Sequence, residues 1–132
     1  MAQSFLQLIQ HALIGAGFAV EANGDSLTVS SDVGIDVYVG VGEQQLQVSA
    51  LMFPAAKVAD VAGLNDAILR THQIVPLTSV GISQINGADY YVAFGALSTS
   101  STPEQILEEI NTLLENVPDL CEAFEDFLKP RN

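Results

Sequence analysis

The sequence is poor in cysteine, which disulfide-bonded folds require, and in basic residues, which nucleic-acid binding requires. Cys121 is the only cysteine among 132 residues, so no internal disulfide can form and a cytoplasmic location is expected. Four basic residues stand against 16 acidic ones, for a net charge of −12. Such a charge repels nucleic-acid phosphates and anionic lipid surfaces. We therefore expect no nucleic-acid ligand, and a partner protein with a basic or apolar segment.

Long apolar runs and motifs for metals or phosphates are also missing. No stretch approaches the roughly 18 continuous apolar residues of a membrane span, so direct membrane insertion is not expected. His11 and His72 are the only histidines, and neither a zinc motif nor a phosphate loop occurs. No local motif in the sequence supports a Cys-His or a Ser-His-Asp catalytic arrangement. The acidic residues around Cys121 also disfavour its thiolate form, so this cysteine is a poor nucleophile. We predict no catalytic residue, cofactor or metal, and a protein that is not an enzyme.

The apolar residues that are present, 48% of the chain, are enough for one core and a single α+β domain over residues 1–132. Apolar side chains recur at helical spacing in residues 5–16, 58–69 and 106–117. Gly15 and Gly17 end the first of these helices, and the second ends near Thr71 or His72.

Strict alternation of apolar and polar residues predicts strands over 35–41 and 46–52. Hairpin turns are predicted at residues 23–25 and 86–87, where Asn and Gly supply positive φ angles. The expected fold is an antiparallel sheet of about five to six strands with three helices, in the order α-β-β-β-β-α-β-β-α. Pro76 blocks continuation of the second helix, whereas Pro118 either kinks the third helix or begins another.

Five hydroxyl residues, Ser98 to Thr102, precede the third helix. Thr102 is followed by Pro103, Glu104 and Gln105, which is the pattern of an N-cap, a proline in the first turn, an acid near the positive end of the helix dipole and a reciprocal capping box. Because no base accompanies the hydroxyls in sequence, we interpret this run as a helix start and not as a reactive site.

Two segments carry a family resemblance. "LNDAILRTHQIVPLTSVGI" and "DYYVAFGALSTSST" resemble the YjfI-like family of small bacterial proteins. The order of predicted elements, together with the acidic charge, resembles type III secretion chaperones, which are usually dimers that hold an effector segment in extended form. The YjfI-like resemblance implies an accessory role beside PspA-type membrane-stress proteins, and it carries over no catalytic residue.

The leading hypothesis is a chaperone-like or adaptor-like module that binds a protein segment through a sheet face or an edge strand. The candidate contact residues are aromatic side chains of the strands and acids of the last helix, namely Tyr38, Phe53, Tyr90, Tyr91, Glu108 and Glu109. We expect the two acids to lie on the exposed side of that helix. For the aromatic residues, packing in the core is the alternative interpretation. Two alternatives stay open: a ligand or enzyme pocket between the sheet and the middle helix, using His72, Asn65 or residues 98–101, and a homodimer formed through apolar faces.

Overall fold

The computed structural model describes residues 2–32, 34–74 and 78–130. Within these ranges three α-helices and six strands follow one another as the sequence predicts, so the α+β fold is confirmed. The helices are α1 (Ala2–Gly15), α2 (Val61–Thr71) and α3 (Pro103–Ala123). The strands are β1 (Ala19–Asn23), β2 (Ser26–Ser30), β3 (Asp36–Val41), β4 (Gln45–Pro54), β5 (Ser79–Ile85) and β6 (Ala88–Ser98). Pro76, the predicted helix breaker, lies outside the described residues.

All six strands belong to one antiparallel sheet in the order β1-β2-β3-β4-β6-β5. The first four strands form a meander, and β5 and β6 form a hairpin whose second strand pairs with β4. Asn86 and Gly87 have φ values of 52° and 81°, as the predicted tight turn requires. Gly24, with φ 62°, makes the other predicted turn, between β1 and β2.

The helix ends follow local sequence. Gly17, at φ 100°, ends α1, because its left-handed conformation lets the Gly17 and Phe18 amides donate to the carbonyls of Ile14 and Leu13 at 3.0 and 3.1 Å. The helix α3 does not stop at Pro118 but continues to Ala123. Of the two outcomes predicted for this proline, a new helix is thereby ruled out.

The predicted capping box at the start of α3 is confirmed. The Gln105 amide donates to Thr102 Oγ1 at 3.2 Å, and the Thr102 amide donates to Gln105 Oε1 at 2.8 Å. Ahead of it, the Ser100 amide donates to Ser98 Oγ at 3.1 Å, and the two hydroxyls lie 2.7 Å apart. The hydroxyl run therefore connects β6 to α3 by satisfying its own polar groups.

The core lies between the helices and one face of the sheet. Helix α1 packs on β1 and β2, while α3 packs on α1, β4 and β6. Alternate side chains of the strands point toward the helices and are buried, among them Leu27, Val29, Val37, Val39, Leu46, Val48, Ala50, Phe53, Tyr91 and Ala93. The helices thus leave the other face of the sheet, which we call the open face, without a covering element in the described part of the chain.

Candidate functional site

The open face carries a patch of apolar side chains, which we call the open-face patch: Tyr38, Leu51, Tyr90, Val92 and Phe94. The sheet register aligns them, because Tyr38 pairs with Ser49, which pairs with Phe94, and Leu51 pairs with Val92. Strand β6 supplies three of the five at every second position, while Tyr91 and Ala93 between them face the helices. The patch therefore spans β3, β4 and β6 at the centre of the sheet.

The side chains of this patch differ in their exposure. Val92 is only 5% exposed although it is not part of the core under the helices, whereas Tyr38 and Leu51 are 39% and 37% exposed. The Phe94 ring lies across β5, where a Cβ atom on Gly81 would come within 3.2 Å of it. Glycine at position 81 thus leaves room for the ring on the sheet. Exposed aromatic and aliphatic groups of this kind are typical of protein-binding surfaces.

Two of the four predicted aromatic contacts lie in this patch, and two do not. Tyr38 and Tyr90 are on the open face, whereas Phe53 and Tyr91 face the helices with ring centroids 5.3 Å apart. The Tyr91 hydroxyl donates to Asn65 Oδ1 of α2 at 2.6 Å, and burial, with a smaller effect of the Asp89 charge, raises the pKa of Tyr91. Tyr91 therefore joins the sheet to α2, and both rings pack in the core.

Sequence reasoning missed Leu51, Val92 and Phe94. The signal available for them was the alternation through β6, which places Phe94 and Val92 on the same side as Tyr90. Both faces of that strand are apolar, however, so the pattern does not say which of them the helices cover.

The two predicted acidic contacts also differ from each other. Glu108 is exposed, but the expectation that Glu109 lies on the exposed side of α3 is wrong, since Glu109 is only 6% exposed. Its neighbours one turn away on the helix, Ile106 and Leu113, are fully buried. Glu109 Oε2 has no hydrogen-bond partner among the described residues, and burial, followed by the charge of Glu108, raises the pKa of Glu109. Of the pair, Glu108 alone is available to a partner.

The polar residues proposed for the alternative pocket between sheet and middle helix serve structural contacts. Asn65 accepts the hydrogen bond from Tyr91, whose ring occupies the space between β6 and α2. His72 begins a short 3-10 turn after α2, and its Nε2 lies 3.3 Å from the Val80 amide nitrogen and 3.1 Å from the Val80 carbonyl oxygen. The imidazole thus binds the backbone of β5.

A surface groove of about 910 Å³ lies between the end of β4 and the end of α3. Burial raises the pKa of the half-buried Cys121 thiol in its wall, which keeps the thiol protonated. The sequence predicted a poor nucleophile here from the neighbouring acids, but the cause in the structure is burial. The groove is lined by Met52, Phe53, Lys57, Cys121, Glu122, Glu125, Leu128, Lys129 and Pro130.

No group of three or more histidine, cysteine, aspartate and glutamate side chains in residues 2–32, 34–74 and 78–130 is placed to hold a metal ion. Among the helices in those ranges, none combines the length and the apolar character needed to cross a membrane.

Comparison of the sequence with known proteins finds bacterial relatives. A family model described as "Uncharacterized protein conserved in bacteria (DUF2170)" matches residues 3–128. The protein YjfI of Escherichia coli K12 is 37% identical over 84 residues, which cover 64% of this chain and 63% of YjfI. The matched region is thus less than two thirds of that relative. The predicted resemblance to YjfI-like proteins is confirmed.

Solved structures share the fold at low identity. YbjN of E. coli superposes with a TM-score of 0.72 at 15% identity, covering 95% of this chain and 96% of its own. A chain of the HopA1-SchA chaperone-effector complex gives 0.67 at 14%, with coverages of 89% and 93%. A chain of the ExsC-ExsE complex gives 0.62 at 12%, with coverages of 98% and 96%. The type III secretion chaperone-like fold is therefore confirmed.

Proposed function

Because this chain belongs to the bacterial DUF2170 family and shares the chaperone-like fold, we propose that it is a non-enzymatic interaction module that binds a segment of another protein. The segment binds through the open face or an edge strand of the sheet, as in a chaperone or an adaptor. The observation that carries the proposal is the open-face patch, which no element of the described chain covers.

The side chains of the patch are suited to such a role. Tyr38 and Leu51 are large and partly exposed, and they stand beside the packed side chains of Val92 and Phe94. An aromatic residue on a rigid strand loses little conformational freedom on binding, which is why tyrosine is frequent among residues that dominate binding energy. A partner side chain that binds to the patch displaces water from side chains that are already ordered, which lowers the entropic cost of binding.

Charge supports a basic partner. The chain carries a net −12, and Glu108 is exposed on α3. A segment with lysine or arginine residues would be attracted at long range, whereas an acidic one would be repelled. The family resemblance adds a candidate context, an accessory role in a PspA-type membrane-stress system. We propose that the protein is cytoplasmic, because it would encounter the PspA-type system there.

Affinity capture from a bacterial lysate tests the proposal when it is done with matched variants. The test variant carries Tyr38→Lys and Leu51→Lys on the open face, and the control carries Leu8→Lys and Ile14→Lys, which are both 52% exposed on α1. We expect a protein that is recovered in stoichiometric amount by the unmodified chain and the control, and is lost with the open-face variant. Recovery of no protein, or equal recovery by all three chains, would contradict binding at this face.

A further inference from the structure

The strand β5 forms one edge of the sheet, and beyond the contact of His72 with Val80 it lacks the usual protection of an edge strand. Natural edge strands avoid pairing with other chains through charged residues, proline, bulges or very short length. The sequence of β5, SVGISQI, has seven residues without a charge or a proline, and its pairing with β6 is regular throughout. The opposite edge, β1, is shorter, at five residues, and contains Glu21.

The contact with His72 shows which backbone groups of β5 point outward. Both the amide and the carbonyl of Val80 face the imidazole, so they point away from β6. In an antiparallel pair the direction alternates with each residue, so the amides and carbonyls of Ile82 and Gln84 point outward as well. These four groups have no hydrogen-bond partner among the residues that the structure describes.

Apolar side chains stand beside this edge. Ile82 is 51% exposed on the helix side of the sheet, where it pairs with the buried Tyr91. Leu69 of α2 is 72% exposed and lies on the same face of the helix as Asn65 and His72. That face is directed at this edge of the sheet, because Asn65 contacts Tyr91 and His72 contacts Val80. A strand added to β5 would therefore place a side chain next to both Ile82 and Leu69.

The charge beside the edge is negative. Asp89 pairs with Gln84 and is on the same side of the sheet as Ile82. It is exposed, and the salt bridge found within the described chain, between Arg70 and Asp66, does not include it. A basic side chain opposite Gln84 could reach Asp89 across one strand, since neighbouring strands are about 4.8 Å apart.

We propose that the edge of β5 accepts an extended segment of a basic partner protein as a seventh strand. The outward groups of Ile82 and Gln84 bind its backbone. An apolar residue lies opposite Ile82 and contacts Leu69, and a lysine or arginine two positions further along lies opposite Gln84, near Asp89. The His72 ring covers the outward groups of Val80, and its Nε2 bonds one of them, which ends the pairing there. This inference rests on the proposed function: it adds an edge-strand contact to the contact at the open face, and gives that edge a register and a sequence pattern.

A second copy of the chain is a poorer occupant of this edge. The β5 of another copy would bring no basic residue to Asp89, because that strand has no charged residue. It would also bring together two chains that each carry a net −12, which disfavours association at low ionic strength.

Selection from a phage-displayed library of random twelve-residue peptides, followed by hydrogen exchange, tests the inference. We expect the enriched peptides to share an apolar residue and a lysine or arginine two positions apart. The Ile82 and Gln84 amides should exchange quickly in the free chain and at least tenfold more slowly with a selected peptide bound, whereas the Val80 amide, already bonded to His72, should change little.

Four variants and one control separate edge pairing from other contacts. Ile82→Pro removes an outward amide without breaking a bond to β6, so the sheet is retained and peptide affinity should fall at least tenfold. Asp89→Asn should lower affinity for the basic peptides about threefold to tenfold. Leu69→Ala should weaken binding, while Leu8→Ala, which removes another exposed leucine, should not. His72→Ala should tighten binding about fivefold, because it frees the Val80 groups for one more pair of hydrogen bonds.

The outcomes distinguish this inference from the function on which it rests. Peptides that bind through Tyr38 and Leu51, with fast exchange at Ile82 and Gln84, would overturn the edge assignment and leave the interaction module intact. A selection that enriches no binding peptide would overturn both. Slow exchange of the same two amides without peptide, increasing with chain concentration, would assign the edge to a second copy and overturn a partner segment.

Discussion

Glu109→Gln should stabilise the protein, and the gain should depend on pH. Glu109 is 6% exposed, and its Oε2 has no hydrogen-bond partner in the described part of the chain, so the charged form of Glu109 destabilises the folded state. Burying an unpaired charge costs more than the roughly 1–3 kcal/mol of an unsatisfied neutral polar group, and glutamine keeps the shape of the side chain without the charge. We therefore expect the free energy of unfolding to rise by about 1–2 kcal/mol near neutral pH.

The sign of the pH dependence follows from the direction of the pKa shift. Burial and the neighbouring Glu108 raise the pKa of Glu109 in the folded state above its value in the unfolded chain. The folded state then binds the proton more tightly, so the stability that this proton confers is present below the unfolded pKa and is lost as the pH rises through the folded pKa. One proton limits the slope to about 1.4 kcal/mol per pH unit.

Urea unfolding followed by circular dichroism measures this effect, which suits a chain without tryptophan. The two proteins should be compared from about pH 5 to about pH 8, with Glu115→Gln, an exposed acid of the same helix, as the control. The gain from Glu109→Gln should grow with pH, while the control should show none. A gain that is the same at every pH, or a loss that grows with pH, would refute the reasoning.

Three further changes are checked by the same unfolding measurement. Thr102→Ala removes the cap of α3 and should lower the free energy of unfolding by about 1 kcal/mol, whereas Ser101→Ala, one residue earlier, should have little effect. Leu113→Ala removes a side chain that is 0% exposed and should cost about 2–5 kcal/mol; a loss below about 1 kcal/mol would mean that the site is not tightly packed. Pro118→Ala restores an amide in the interior of α3 at an exposed position and should stabilise the chain by up to about 3 kcal/mol; destabilisation would contradict it.

Local patterns were sufficient for the element order and for the ends of the elements. The capping box at Thr102, the turn at Asn86 and the end of α1 each depend on a few neighbouring residues, so their physics can be read from short stretches. The periodicities of two and nearly four residues are likewise local, and they separated strands from helices.

Long-range packing decided the features that sequence reasoning missed. Tyr90 and Tyr91 are adjacent and chemically alike, yet β6 places one on the open face and the other in the core. The burial of Glu109 depends on how wide a strip of α3 the rest of the protein covers, which the spacing of its apolar residues does not specify. The position of His72 on Val80 requires α2 and β5 to be side by side, which is a property of the tertiary fold.

The pairing of β4 with β6 has a consequence for the order in which the chain folds. The meander and the β5-β6 hairpin are each built from contacts between neighbours in sequence, so each can begin to form by itself on a microsecond timescale. Joining them requires residues 45–54 to find residues 88–98, with α2 in the loop between, and this closure has the greater entropic cost. We expect the kinetic barrier to lie at that joint, so that substitutions on the facing sides of β4 and β6 slow folding more than equally destabilising ones in β1.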